Sequence, residues 1–330
     1  MALTLAEAKV GYADKVEQNV IDEFRRSSIL LDKLTFDDTI SPTGGSNLVY
    51  GYQRLETPST AAVRQINSEY SPNEAKRTKC TASPVILGGS FQIDRVIAQT
   101  SGAINEMNFQ IKEKTKAGAN YFHNLVINGT SASTGTGYVP NTFDGLKKIL
   151  TGKSTEMTTD IDISTSALLD SNYNALLDEL DTFIALLAAK PDVFMMNSKM
   201  LTKVKSAARR AGYYDRNKDD FGRTVETYNG IILMDAGQYY NGSTTEDVVS
   251  TSTPGSDTYG TTDIYAAKLG LDAFHGISVD GSKMLKTYLP DLQAPGAVKT
   301  GEVELIAGAV LKNSKMAGVL KGIKLLGKTA

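Results

Sequence analysis

The run LKKILTGKST, Leu146–Thr155, ends in the Gly-Lys-Ser trio that closes a phosphate-binding loop. In such a loop, backbone N–H groups wrap one phosphate and the lysine reaches the outer ones, and the wrap needs a second glycine ahead of the trio. With Gly152, Lys153 and Ser154 as the trio, that glycine belongs at position 147, which is a lysine. Gly145 stands two residues too early, and the Cβ of Lys147 fills space that the wrap leaves open. A phosphate loop also opens a helix after a buried strand. Here a short amphipathic stretch, TFDGLKKIL, precedes the trio, and Gly152 reads as its stop. A nucleotide-using enzyme built on Gly152-Lys153-Ser154 is the weakest functional reading. Saturable binding of a fluorescent nucleotide, abolished by Lys153→Ala, would revive it.

Asp215, Asn217, Asp219 and Glu226 in DRNKDDFGRTVE stand at positions 1, 3, 5 and 12 of a calcium loop. Position 6, where the sharp turn calls for glycine, is Asp220. The residues after Glu226 read as a strand, so a polar turn following a basic helix is expected. His123 and His275 lie far apart in the sequence, and neither belongs to a zinc-binding helix motif. His123, beside Phe122 in a long helix, reads as packed or hydrogen-bonded. Gly135-Thr136-Gly137 starts a dinucleotide fingerprint, but its third glycine position is Pro140 and no buried strand precedes it. Cys80, the single cysteine, sits in a polar stretch without a neighbouring histidine. Most hydrolytic and metal chemistries lack their parts. No catalytic, cofactor-binding or metal-binding residue is expected, and no cofactor, although catalysis by carboxylates alone stays open.

The elements that would carry any site are easier to read. Hydrophobic residues at 41% and charged residues at 22% of 330 suffice for a sizeable core. A formal net charge of −2 argues against a dedicated nucleic-acid binder, which shows a strong basic patch. One cysteine leaves no intrachain disulfide and fits a reducing compartment. No signal peptide or apolar run of membrane-spanning length is apparent, so a soluble, intracellular chain is expected. Residues 3–34 carry apolar positions at helical spacing, broken by Thr35–Gly45. That helical segment packs either on its own domain or on a neighbouring subunit.

Asn47–Leu55 and Val85–Ile97 look like strands, separated by about thirty polar residues with Lys76, Arg77 and Lys79, a length that is uncommon within a compact domain. A projecting two-stranded ribbon fits, and it would want a partner surface, because a lone hairpin is marginal in water. Ser101–Ile127 is the strongest helical pattern, a rod of about 40 Å, closed by Asn128-Gly129 in C-cap fashion. A helix is predicted over 174–189. It is followed by the strand DVFMMN and by a basic helix capped by Asn197 or Ser198, carrying Lys199, Lys203, Lys205, Arg209 and Arg210. That basic face is solvated, or meets nucleic acid or an acidic neighbour. TVETYNGIILMD reads as a hairpin turned at Asn229-Gly230, Asn241–Thr262 as an exposed insertion, and Ile264–Leu269, Glu302–Lys312 and Lys315–Lys324 as strands. Helices mixed with short, hairpin-like strands predict an α+β fold.

In this order the elements resemble the tailed-phage major capsid proteins of the HK97-type fold. FHNLVINGTSASTGTGYVPNTFDGL is similar to that family's passage from spine helix through a Gly-rich loop to a Gly-Leu segment. KPDVFMMNSKMLTKVKSAARRAGYYD is similar to the strand and helix of its axial domain, and ETYNGIILMDAG to its hairpin. The resemblance implies an N-terminal arm over 1–46, an extended loop over 47–95 and a peripheral domain over 96–173 with spine helix 101–127. It further implies an axial domain over 174–290 with exposed insertion 241–262, and C-terminal strands over 291–330 that return to the peripheral domain. It implies a non-enzymatic protein that assembles with itself as hexamers and pentamers into an icosahedral shell around double-stranded DNA. Portal and scaffolding proteins would be partners, DNA contact would be non-specific, and no membrane would be involved. The location would be the virion, after assembly in the bacterial host cytoplasm. An encapsulin-like compartment is the alternative. Lys76 and Lys79 lie in the loop where a covalent crosslink would form, but nothing further marks them.

Overall fold

The computed structural model describes residues 29–39, 49–57, 59–99, 106–131, 142–212, 215–218, 224–279 and 285–328. Residues 3–28 of the helical segment expected over 3–34, and Gly135, Gly137 and Pro140, lie outside them. The described chain starts with α1, Ile29–Lys33, and β1, Phe36–Asp38. Leu30 and Leu34 are buried. Where the sequence predicts a break over Thr35–Gly45, Phe36–Asp38 therefore form part of the body. β2, Tyr50–Thr57, and β3, Lys76–Ala82, pair as an antiparallel hairpin, Tyr50 opposite Ala82. The expected ribbon is real, but its second strand is KRTKCTA rather than Val85–Ile97. A ribbon wet on both faces has no need of apolar alternation, so that strand leaves no pattern in the sequence. β4, Val85–Asp94, instead alternates buried and exposed residues and leads into the short α2, Arg95–Gln99.

α3, Glu106–Asn128, is the long rod, and its burial is uneven. Phe122, Leu125, Val126 and Ile127 are at most 2% exposed, whereas no residue of the first four turns is buried. Gly129 ends the helix, its N–H donating to the Leu125 carbonyl at 2.9 Å. It does so without the left-handed φ of a glycine cap. What demands glycine is space, since a Cβ there would lie 2.5 Å from the Leu125 and Phe143 carbonyl oxygens. The chain returns beside it through Gly145, whose N–H donates to the Gly129 carbonyl, and α4, Leu146–Leu150, follows. Phe122 packs between Phe36 and Phe143, with ring centroids 6.3 and 5.9 Å away.

β5, Glu156–Thr158, precedes α5, Ser166–Ala185, which is capped by the Thr165 hydroxyl accepting from Leu168 N–H. The helix expected over 174–189 thus begins eight residues earlier. Its first turns bury few apolar residues and hide from a periodicity search. β6, Val193–Met196, is buried throughout, and Asn197 caps α6, Ser198–Arg210. β7, Asp215–Lys218, and β8, Thr224–Tyr228, form one hairpin; β8 and β9, Ile231–Asp235, form the next. Asn229 (φ 50°) and Gly230 (φ 72°) supply the paired positive φ that the tight turn requires. β10, Gln238–Tyr240, just ahead of the insertion, pairs with β11, Thr245–Asp247, inside it. The insertion is not simply exposed, because Val248 and Val249 are buried. The remaining strands are β12, Gly260–Ala267; β13, Phe274–Ser278; β14, Leu285–Tyr288; β15, Val298–Leu311; and β16, Ala317–Leu326.

Two sheets organise the molecule. In the first, the long β15 pairs with β4 over Val298–Ala307, with β14 over Glu302–Leu305 and with β13 over Gly308–Leu311, and β1 adds in parallel to β13. The second runs β5-β16-β12-β6-β9-β8-β7. Strands β13 and β14, within the expected span 174–290, thus belong to the first sheet. Of the C-terminal strands over 291–330, expected to return to the peripheral domain, β15 joins the first sheet and β16 the second. One core gathers Phe122, Leu125, Phe143 and Phe274, the other Leu176, Leu180, Phe183, Phe194 and Met200. Both sheets border the first core, to which the second sheet contributes Met195, Tyr265 and Val319, and the second sheet alone borders the other.

Candidate assembly surface

The sequence's chemical candidates do not converge. Gly152 has φ +73°, as a helix stop requires, and a strand, β5, follows where a phosphate loop needs a helix. The Gly152 N–H donates to the Glu156 carboxylate and the Lys153 N–H to the Leu150 carbonyl, so two amides of the would-be cradle are taken. Lys321 also donates to Glu156, and this bond, followed by that from Gly152, lowers the carboxyl's pKa. The calcium-loop candidates Asp215, Asn217 and Glu226 sit in paired strands, Arg216 opposite Glu226, and Lys205 holds the Glu226 carboxylate. Asp219 and Asp220 lie outside the described residues. Among the described residues, no group of three His, Cys, Asp or Glu is placed to hold a metal ion, and no helix is long and apolar enough to cross a membrane. The basic face of α6 meets acidic neighbours within the chain, through Lys205–Glu226 and Arg210–Asp170.

His123 and His275 are both buried, and by different surroundings. Burial alone pushes the His123 pKa down to about 4. His275, on β13, stands edge-to-face to Tyr50 with ring centroids 5.7 Å apart. Cys80 is half-buried in β3, opposite Tyr52.

What the structure does assemble is a projecting hairpin with a built base. From Ser59 to Lys79 every residue is exposed, and Val63 and Ile66 are 101% and 91% accessible. The distal part holds itself by little more than a turn at Gln65–Ser68 and Arg64 over the Tyr70 ring, 5.6 Å from its centroid. At the other end, Arg54 donates to the Leu311 and Lys312 carbonyls at 2.6 and 3.2 Å. The Tyr50 hydroxyl donates to Asp37 at 2.6 Å, and the Lys312 ammonium lies 5.5 Å from the Tyr50 ring centroid. Burial, then the Asp37 bond, raises the Tyr50 pKa. The Arg54 contacts escape sequence reading because their partners are backbone carbonyls far along the chain, and the Tyr50 contact because nothing in the spacing to Asp37 marks it.

A second exposed surface lies on the first sheet. α3 packs on one side of β4 and β15. The alternate residues Val298, Glu302 and Ile86, with Tyr288 on β14, remain exposed, and Val96 and Leu289 add to the apolar area.

A fold of this kind, an α+β body with a spine helix, two sheets and a projecting hairpin, is the HK97-type capsid fold. Solved structures with the same fold span the whole chain. The encapsulin in a holo-SrpI complex from Synechococcus elongatus PCC 7942 matches with TM-score 0.64 and 12% identity over 100% of this chain and 99% of that one. The capsid of a native GTA particle matches at 0.55 and 12%, over 98% and 100% of the two chains, and that of Mycobacterium phage Adephagia at 0.57 and 10%, over 100% of each. The SU10 major capsid protein model matches residues 74–232, from the hairpin through β9. Over those residues the chain is similar to a major capsid protein family. No curated protein matches its sequence.

Proposed function

We propose that copies of this chain, as pentamers and hexamers, close into the icosahedral shell that holds a tailed phage's double-stranded DNA, and that the hairpin Tyr50–Ala82 is the intersubunit arm. The single observation that carries this reading is the hairpin itself. It holds Val63, Ile66 and Tyr70 in water with nothing of its own to bury them against, a state that a partner surface would relieve. The exposed side of the first sheet offers such a surface, with apolar Ile86, Val298 and Tyr288 beside Glu302, suited to an arm that carries Lys76, Arg77 and Lys79. In this reading the first sheet and α3 form the peripheral domain, and the second sheet with α5 and α6 forms the axial domain. Portal and scaffolding proteins join assembly in the host cytoplasm, contact with DNA is non-specific, and the protein is a building block rather than a catalyst.

The test joins Thr57 to Lys76 through a two-residue turn, which removes the distal arm and keeps the stem. The shortened chain should keep its circular dichroism and melting temperature but fail to sediment as shells, and negative-stain images should lose closed particles. Unfolding of the shortened chain would place the segment in its own core, and normal shells would deny it an assembly role. An encapsulin-like compartment is the second reading, favoured by the match to the Synechococcus protein at TM-score 0.64. Purified particles containing packaged DNA support the phage shell, and particles filled with a cargo protein support the compartment.

A further inference from the structure

The hairpin's base contains a group that shell geometry does not explain. His275 is fully buried, and its ring nitrogens lack a well-formed hydrogen bond, the Ala273 carbonyl being the one backbone acceptor that acts on them. Buried polar groups are ordinarily satisfied, and an exception asks for a reason. The ring lies under Tyr50, the first residue of the hairpin, and β13 pairs with β1, which carries Asp37, and with β15, which ends at Lys312. The charged and titratable groups around it are therefore Tyr50 from the hairpin, Asp37 from β1, Lys312 after β15 and Asp272 before β13. Burial, then the Lys312 charge, favours the neutral ring; Asp37, the Ala273 carbonyl and Asp272 act the other way.

We propose that His275 is a proton-operated latch: neutral, it seats Tyr50 and fixes the base of the hairpin; protonated, it unseats Tyr50 and loosens the hairpin. The hairpin shares no backbone ladder with either large sheet, so a few side chains hold its angle. A proton turns the His275 ring into a cation with two donors and no acceptor, in a dry site near an ammonium. Two responses relieve it. The ring draws the Asp37 carboxylate away from the Tyr50 hydroxyl, or the base opens to water. Both release Tyr50, while the Arg54 bonds to Leu311 and Lys312 remain as a pivot. Because the resting ring is held neutral, the step falls on the acid side of the ordinary imidazole range.

Hydrogen exchange read by mass spectrometry on the full chain, corrected for the intrinsic pH dependence of exchange, tests the latch. Peptides spanning Tyr50–Thr57 should show a several-fold rise in exchange as pH falls, with no matching rise in β6. His275→Phe keeps an aromatic ring under Tyr50 and should abolish the step. Lys312→Gln should move its midpoint to higher pH and Asp37→Asn to lower pH. Absence of the step in the parent chain, or its persistence in His275→Phe, overturns the proposal. If His275→Phe does not fold, the two charge variants decide, and midpoints that stay put or move the same way overturn it. The consequence for assembly rests on the hairpin being an intersubunit arm. The local exchange does not, so the latch and the arm fail separately.

Discussion

Asn197 shows how much one polar side chain can do once it is placed. It is 1% exposed. Its Oδ1 accepts from Met200 N–H at 2.8 Å, capping α6, while Nδ2 donates to the Thr262 hydroxyl at 2.8 Å and the Val249 carbonyl at 3.1 Å. Asn197→Ala should cost about 2–4 kcal/mol in chemical denaturation, the sum of a lost cap and of buried groups left unpaired. Asn197→Asp keeps the cap acceptor but removes both donors, and should recover only part of that loss. A second residue-scale expectation concerns His123. Its folded pKa of about 4 lies below the ordinary 6.5, so the unfolded chain binds the proton first. Its stabilisation is complete above the ordinary value and is lost as pH falls toward the folded one, about 3 kcal/mol in all. His123→Phe should flatten the acid limb of global stability against pH by that amount, and an unchanged slope would refute the assignment. Global unfolding distinguishes this effect from the local loosening expected of His275.

At the scale of elements, two glycines next to short helices are needed for different reasons, and substitution separates them. Gly145 crosses the end of α3 so closely that a Cβ would lie 2.6 Å from the Ile127 carbonyl oxygen and 2.7 Å from the Gly129 nitrogen. Both are backbone atoms and cannot step aside. Gly152 has open space around it but φ +73°. Gly145→Ala should cost about 1–3 kcal/mol through overpacking and loosen the last turn of α3 in hydrogen exchange. Gly152→Ala should cost about 1–2 kcal/mol from the left-handed backbone alone, and leave α3 protected.

At the scale of the whole molecule, the residues that hold the fold are not those proposed to join one copy to the next. Val63 and Ile66 contribute nothing to the packing of their own chain, being wholly or almost wholly accessible. The double variant Val63→Ser, Ile66→Ser should leave the melting temperature of the unassembled chain unchanged. If a neighbouring copy buries them, each loses about 1.5–3 kcal/mol of contact, and shells should form at several-fold lower yield in sedimentation. A fall in melting temperature of the lone chain would place these side chains in an intrachain contact instead.

Strong periodicity and turn chemistry were enough to read α3, β6, α6 and the Asn229-Gly230 turn, because each is specified by neighbours in sequence. The same logic dismissed the phosphate loop, since a helix ahead of Gly152 rather than after it is visible in LKKILTGKST. The class of fold followed from the order of such elements. Only the tertiary structure decided what depends on residues far apart in the chain. It paired β2 with KRTKCTA, a strand with no apolar face to betray it. It brought Phe36 into the first sheet and buried Val248 and Val249 inside a Ser/Thr-rich stretch that composition alone marks as exposed. It also placed His275 beneath Tyr50, two residues 225 positions apart. Local preferences set the elements, but register, burial and charge environment arise when distant strands meet, and nothing in the spacing of a single strand records its partner.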